Sequence, residues 1–250
     1  MIQLTNLTKS YSKNQVLKDL SLTVQKNQCY AIVGKNGAGK STLFNILTNL
    51  VAADSGEVQI IGTTYKENEQ NIKQQMGLML EQKSLVEEFT GLQYLEFISL
   101  LYGKQGTIGK DKIMSLFNYF FENVEDGNKL IRSYSTGMKQ KVAFCAAVLH
   151  QPQILILDEP FSGLDPFSAQ QMVEFLKAYG KDRLIFIASH NLANLEKLAT
   201  HIGILHEGEL RFDGSMEEFT EKGKNVLSES LFQMLQPSSG DMEKVSWLVN

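Results

Sequence analysis

At 250 residues, with 43% apolar and 21% charged side chains, the chain has the composition of a soluble globular protein of one large or two small domains. A formal net charge of −4 argues against a dedicated nucleic-acid binder, and no apolar run approaches the ~18 residues needed to cross a bilayer. The opening MIQLTNLTKSY has neither a basic leader nor an apolar core, so no signal peptide is expected; Cys29 and Cys145, far apart, read as buried thiols rather than metal ligands.

In chain order, DLSLTVQKNQ alternates Leu20, Leu22 and Val24 onto one face, the pattern of a half-buried strand. QCYAIVG is instead apolar throughout and runs straight into glycines, as a buried parallel strand does. STLFNILTNL then sets Leu43, Ile46, Leu47 and Leu50 in helical register. GEVQIIG reads as a short strand between Gly56 and Gly62, and together with DLSLTVQKNQ it suggests an antiparallel sheet at the N-terminal edge.

From about Lys83 to His150 the chain has no proline and mostly helical periodicity. TGLQYLEFISLLYG places Leu92, Leu95, Ile98 and Leu101 on one stripe ending at Gly103, and DKIMSLFNYFFE gathers Ile113, Leu116, Phe117 and Phe120. KQGTIGKDK between them is expected to be a solvated loop. Ser135 in YSTGMKQK reads as the hydroxyl cap of a further helix that continues into the core segment VAFCAAVL. PQILILDEP and RLIFIASH repeat the buried-strand pattern, each delivering polar residues at its C-terminal end, where ligands bind in open α/β sheets. After GELRFDGS a mixed tail, PSSGDMEKVSWLVN, closes the chain, with Trp247 expected to anchor it by packing.

Gly34-Lys35-Asn36-Gly37-Ala38-Gly39-Lys40-Ser41 fits the phosphate-binding pattern G-x-x-x-x-G-K-[ST], and it stands between a buried strand and a helix, as that loop requires. Its glycines let backbone N–H groups turn inward around phosphate, and the helix start adds about half a positive charge there. Lys40 is expected to reach the β- and γ-phosphates, Ser41 to ligate Mg²⁺, and Thr42 to add a phosphate hydrogen bond. A second magnesium element should end another parallel strand, and ILILDEP supplies Asp158 with Glu159 beside it. Asp158 would hold the metal through its water shell and Glu159 would polarise the attacking water; the competing reading is an exposed acidic turn before Pro160. His190 ends the strand expected to lie beside that of Asp158, within reach of the γ-phosphate, whereas His150, His201 and His206 read as structural or exposed. The chain thus carries two phosphate-seeking helix starts, at Lys40 and Ser135, but one complete nucleotide loop.

The ordered set GKNGAGKST, YSTGMKQK, ILILDEP, SGLDP and ASH resembles the ATP-binding subunit of an ABC transporter along nearly the whole chain. The resemblance implies an α/β fold: a P-loop NTPase core with a mixed, largely parallel sheet, an N-terminal antiparallel β-subdomain and an inserted α-helical subdomain. It implies residues 1–236 as the ATPase domain, with 1–82 and 151–215 as core, 83–150 as helical subdomain and 237–250 as a tail. It further implies ATP and Mg²⁺ as ligands, and head-to-tail dimers, homologous or identical, that enclose two ATP molecules. Tyr11 matches the aromatic that stacks on adenine, and Ser162 to Asp165 match the loop that crosses to the partner's site. Glu81 or Gln82 fills the place where the family has a glutamine linking metal and membrane partner; Glu81 would offer the metal an oxygen donor and added negative charge. Ser135 and Gly137 match the positions that approach the partner's γ-phosphate, while Tyr134, Thr136 and Met138 depart from the usual Leu-Ser-Gly-Gly-Gln.

This pattern is similar to that of bacterial exporters of drugs, peptides or bacteriocins. The implied function is a motor subunit that powers export through a separate integral membrane permease, from a cytoplasmic site at the inner face of the cell membrane. The region from Lys83 to about Tyr102 would receive the permease. A soluble ATPase acting on nucleic acid or ribosomes is the alternative; it would bring tandem halves, coiled-coil arms, zinc motifs or a basic stripe, none of which is visible. A GTPase would carry Asn-Lys-x-Asp, which does not occur.

Overall fold

In a computed structural model, which describes residues 1–80, 85–102 and 108–235, Leu17, Leu20, Leu22 and Val24 all face inward from β2 (Asn14–Val24). β2 pairs antiparallel with β1 (Ile2–Tyr11), and β1 pairs antiparallel with β4 (Ser55–Ile60), in the order β2-β1-β4. The expected antiparallel edge is present, with an additional strand at its centre. β1 was not legible in IQLTNLTKSY because polar residues interrupt its alternation, and register shifts after Leu4 confirm that its pairing is irregular.

The second sheet holds the apolar strands β3 (Cys29–Val33), β6 (Ile154–Asp158) and β7 (Leu184–Ala188), every residue of which is buried. With β5 (Met76–Met79), β8 (His201–His206) and β9 (Glu209–Ser215) the order is β5-β6-β7-β3-β8-β9, parallel except for the antiparallel β8–β9 pair. Burial on both faces explains why these strands lack alternation. Because β6, β7 and β3 are neighbours, the chain leaves the sheet at Val33, Asp158 and Ala188 side by side.

The antiparallel sheet and α1 (Lys40–Leu47) cover one face, where Phe44 and Tyr30 both meet Phe186, the Tyr30 ring stacking on it at 5.5 Å. Among the described residues, the regular elements between β5 and β6 are helical: α3 (Gly91–Tyr102), α4 (Lys110–Phe120) and α5 (Thr136–Leu149), with two short 3-10 turns, Val124–Asn128 and Ile131–Ser133, between α4 and α5. α6 (Pro166–Tyr179) and α7 (Leu192–Leu198) flank β7, α2 (Tyr65–Gln75) precedes β5, and α8 (Met216–Phe219) and α9 (Leu227–Met234) end the described chain. α5 is buried along most of its length, including Gln140, Phe144 and Cys145, so it lacks a polar stripe. Both cysteines are buried and free; desolvation pushes Cys29 up to about 12 and Cys145 well up, which keeps both thiols protonated and inert.

Ile113, Phe117 and Phe120 enter the core as expected, with Leu116 packed against it. The α3 stripe is corrected: Leu95 is buried and Leu92 and Ile98 are half-buried, but Leu101 is 62% exposed and Tyr94 and Ser99 are buried instead. Four residues spaced by three drift about 60° per step around a helix of 3.6 residues per turn, so the last of them leaves the packed face. Glu81, Gln82, Gly103, most of the first interhelical loop and Trp247 lie outside the described residues.

Candidate nucleotide site

The turn between β3 and α1 is shaped by Gly37 (φ 81) and Gly39 (φ 109), backbone angles that glycine adopts without strain. Gly39 also lies against β2, where an added Cβ would sit 2.8 Å from the Val16 carbonyl oxygen. Gly34 is held as closely on the other side, its missing Cβ 2.2 Å from the Leu205 carbonyl oxygen. The loop is thereby clamped between the two sheets, with Ala38 buried beneath it. The first intrahelical bond of α1 runs from the Leu43 N–H to the Gly39 carbonyl at 2.9 Å, so the N–H groups of Lys40, Ser41 and Thr42 precede the helical ladder. Such an end attracts anions. Lys40 Nζ donates to the Gly34 and Lys35 carbonyls at 2.6 and 3.1 Å, folding its ammonium back over the loop.

A cavity of about 560 Å³ opens on this turn. Asn36, Gly37, Gly39, Lys40, Ser41 and Thr42 form one wall, and Asp158, Glu159 and His190 form another. The sheet order explains the gathering: Asp158 is paired with Ala188, so the residues that follow leave adjacent strands together. Asp158 is 6% exposed at the end of β6, which rules out the freely exposed acidic turn.

Glu159 has φ 52, a left-handed conformation uncommon for a side chain of this size. Its N–H donates to the Ala188 carbonyl at 2.9 Å. Its Oε2 accepts hydrogen bonds from the Ser189 hydroxyl at 3.1 Å and the His190 backbone N–H at 3.2 Å. Oε1 is buried, has no hydrogen-bond partner, and lies 3.6 Å from His190 Nε2. One oxygen therefore anchors the carboxylate while the other retains its accepting capacity beside an imidazole. The exposed His190 ring turns toward the same space.

The hard oxygens of Ser41 and Asp158 share this cavity, a donor set suited to magnesium, which takes few protein ligands and completes its shell with phosphate and water. No group of three or more His, Cys, Asp or Glu forms a metal cage among the described residues.

Tyr11 does not line the cavity. It is 46% exposed at the end of β1 and paired with Asn14, and it is Asn14 and Val16 of β2 that contribute to the wall. Ser135 and Gly137 also lie outside it. Ser135 caps α5 by accepting the Met138 N–H at 3.2 Å, and both Ser135 and Thr136 are exposed. Gly137 packs on the neighbouring loop, where its missing Cβ would meet the Gly163 carbonyl oxygen at 2.8 Å. Ser135 and Thr136 thus share a surface with the SGLDP loop, whose Asp165 caps α6 through the Phe167 and Ser168 N–H groups; Tyr134 is buried beneath, and Phe167 is exposed.

Four residues that sequence reasoning missed shape the site: Asn14 and Val16 in its wall, Ser189 on the Glu159 carboxylate, and Gln140, whose Nε2 donates to the Glu159 carbonyl at 2.8 Å. Ser189 stands within the ASH motif and was within reach of inspection. Gln140 was not, because nothing in spacing relates it to a partner 19 residues away.

The chain matches the ABC transporter family over residues 17–162. It is 33% identical to the bacitracin transport ATP-binding protein BcrA of Enterococcus faecalis over 90% of this chain and 72% of that protein. It is 31% identical to the lantibiotic transport ATP-binding protein SrtF of Streptococcus pyogenes, over 86% of this chain and 93% of that protein. Among solved structures, the ATP-binding subunit of an ABC transporter superposes with a TM-score of 0.87 at 26% identity, covering 94% of this chain and 100% of that one. A dimeric ATP-binding cassette in a post-hydrolysis state, bound to ADP and Pi, superposes with a TM-score of 0.78 at 22% identity over 86% and 99% of the two chains, a likeness of fold.

Proposed function

The chain belongs to the ABC transporter ATP-binding family and is an ATPase, and from that premise we propose that it is a motor subunit that closes with a second ATPase subunit around two ATP molecules. In this reading it powers export through a separate integral membrane permease, which holds it at the inner face of the cell membrane. Relatives named for bacitracin and lantibiotic transport support export of peptide antibiotics or similar compounds. No helix among the described residues is long and apolar enough to cross a membrane.

The observation that carries the proposal is the separation of Ser135 from the cavity: a capped, exposed helix start stands outside the lining of the chain's own phosphate-loop cavity. A second subunit arranged head to tail would bring its nucleotide to that surface, with the Ser135 hydroxyl and Gly137 N–H meeting the γ-phosphate and Ser162 to Asp165 crossing the joint. Lys40, Ser41, Thr42 and the loop N–H groups from Gly34 to Gly39 would bind the β- and γ-phosphates of the chain's own ATP. Tyr11, at the end of β1, would swing over the adenine. Mg²⁺, when bound, would neutralise phosphate charge, with Ser41 and Asp158 as its protein ligands and Glu81 or Gln82 contributing nearby. Glu159 Oε1 would accept a proton from the attacking water, and His190 would orient that water and the γ-phosphate.

A groove of about 260 Å³ between Leu78–Leu80, Leu85, Tyr94 and Ile98 of one wall and α5 of the other supports the permease contact in the region 83–102. Leu100 and Leu101, 64% and 62% exposed, add apolar surface to α3 in the same region of the chain. Two measurements test the reading. Specific ATPase activity of the isolated subunit should fall on dilution, and the chain should co-purify with a polytopic membrane protein. Activity independent of dilution would remove the shared site, and recovery with ribosomes or nucleic acid in place of a membrane protein would remove the transport role.

A further inference from the structure

Gln140 is fully buried, with 0% exposure, in the second turn of α5. Its Nε2 donates to the Glu159 backbone carbonyl at 2.8 Å, while its Oε1 is buried and has no hydrogen-bond partner. The amide orientation is set by chemistry, because a carbonyl facing Oε1 would oppose two acceptors. The arrangement is unfavourable for stability alone. A buried amide with one unmatched oxygen costs more than an apolar side chain of similar size. The hydrogen bond it does make falls on the one backbone group of the nucleotide site that most needs direction. Glu159 is held at φ 52, and its carbonyl accepts a second bond from the Ser162 N–H at a longer 3.2 Å. Its side chain is fixed from the opposite side by Ser189 and the His190 N–H.

We propose that Gln140 is a positioning residue for the hydrolysis step: its amide clamps the Glu159 peptide so that Oε1 is presented to the attacking water. The proposal rests on the reading of Glu159 as water-polarising base. It adds that α5 serves both subunits' sites, its capped start at Ser135 facing outward and its second turn holding Glu159 inward. The loop between these points is packed on the same helix, Gly163 against Thr136 and Gly137.

Gln140→Met in the full chain removes the donor and keeps the volume. With Mg²⁺ and ATP, kcat should fall about tenfold or more, the order expected when a catalytic group is misplaced by a fraction of an ångström. KM should stay within about twofold, and ATP-dependent dimers should still form, since the substitution leaves ground-state binding intact. The melting temperature should hold or rise. In the Glu159→Gln background, the same change should cause no further loss of single-turnover phosphate release. Unchanged kcat in Gln140→Met overturns the proposal, as does a loss that tracks a falling melting temperature and rising KM, or one that adds in full to Glu159→Gln. A fully active Glu159→Gln enzyme would instead overturn the base assignment and this proposal with it.

Discussion

The carboxylate of Glu159 spans His190: Oε2 accepts the His190 backbone N–H at 3.2 Å while Oε1 lies 3.6 Å from the imidazole Nε2. The register Asp158↔Ala188 between β6 and β7 produces this pairing, because both strands leave the sheet at the same height. In the proposed role of general base Glu159 would need a fixed direction and a lone pair without a hydrogen-bond partner, and Oε2 and Oε1 respectively offer them.

Glu159→Gln retains the shape and the anchoring acceptor but removes the proposed base. Turnover should drop by about 10²-fold or more, while ATP binding persists and ATP-bound dimers accumulate. Phosphate release in a single turnover, read beside size-exclusion elution with ATP, checks both parts; a mutant with full turnover refutes the role.

Lys40→Ala should weaken ATP binding by about 10- to 100-fold, the loss of one charge-assisted hydrogen bond of roughly 1.5–3 kcal/mol. Lys40 Nζ donates to the Gly34 and Lys35 carbonyls, while the turn itself is shaped by Gly37 and Gly39 and packed on Val16 and Leu205, so the fold should tolerate the change. Fluorescent-nucleotide titration with a parallel melting curve tests this, and unaltered affinity would overturn the phosphate-loop assignment.

The helix cap made by Ser135 and its proposed contact with the partner's phosphate can be separated. Ser135→Ala removes the bond to the Met138 N–H and should cost about 1 kcal/mol of stability. Ser135→Asp keeps a good cap and favours the helix dipole, so its melting temperature should match or exceed the parent's. It also sets a negative charge where the partner's γ-phosphate would arrive, and should abolish ATP-dependent dimers. Dimerisation undiminished in Ser135→Asp would show that this helix start meets no phosphate.

His150 supplies a pH dependence. Its Nε2 lies 3.1 Å from the Met76 carbonyl oxygen and its ring stacks on Tyr102 at 4.0 Å. Burial lowers its pKa below the ordinary 6.5, an effect larger than the opposing pull of the Met76 carbonyl. The unfolded chain therefore binds more protons just below pH 6.5, so the stability contributed by neutral His150 is present above that pH and lost as pH falls. The melting temperature should decline between pH 6.5 and 5.5, before carboxylates titrate, and His150→Gln should flatten that decline. An equal slope in both proteins would contradict it.

What the sequence determined by itself was local or strictly ordered. The Gly34–Ser41 loop, the apolar strands ending at Val33, Asp158 and Ala188, and the Ser135 cap depend on near neighbours, and each was written in consecutive residues. The family itself followed from the order of five motifs. Tertiary structure decided what depends on distant pairing. β1 became the centre of its sheet although its own alternation is broken, because β2 and β4 both required a partner. Leu101 turned outward because α3 packs along an arc centred on Tyr94 and Leu95, which spacing by three does not follow. Tyr11, at the end of β1, does not line the cavity, while Asn14 and Val16 of β2 do. Gln140 acquired its partner only when α5 was laid across the end of β6. A short-range pattern constrains the backbone that carries it; a hydrogen bond between residues far apart in the chain exists only once the sheet order has brought their elements together.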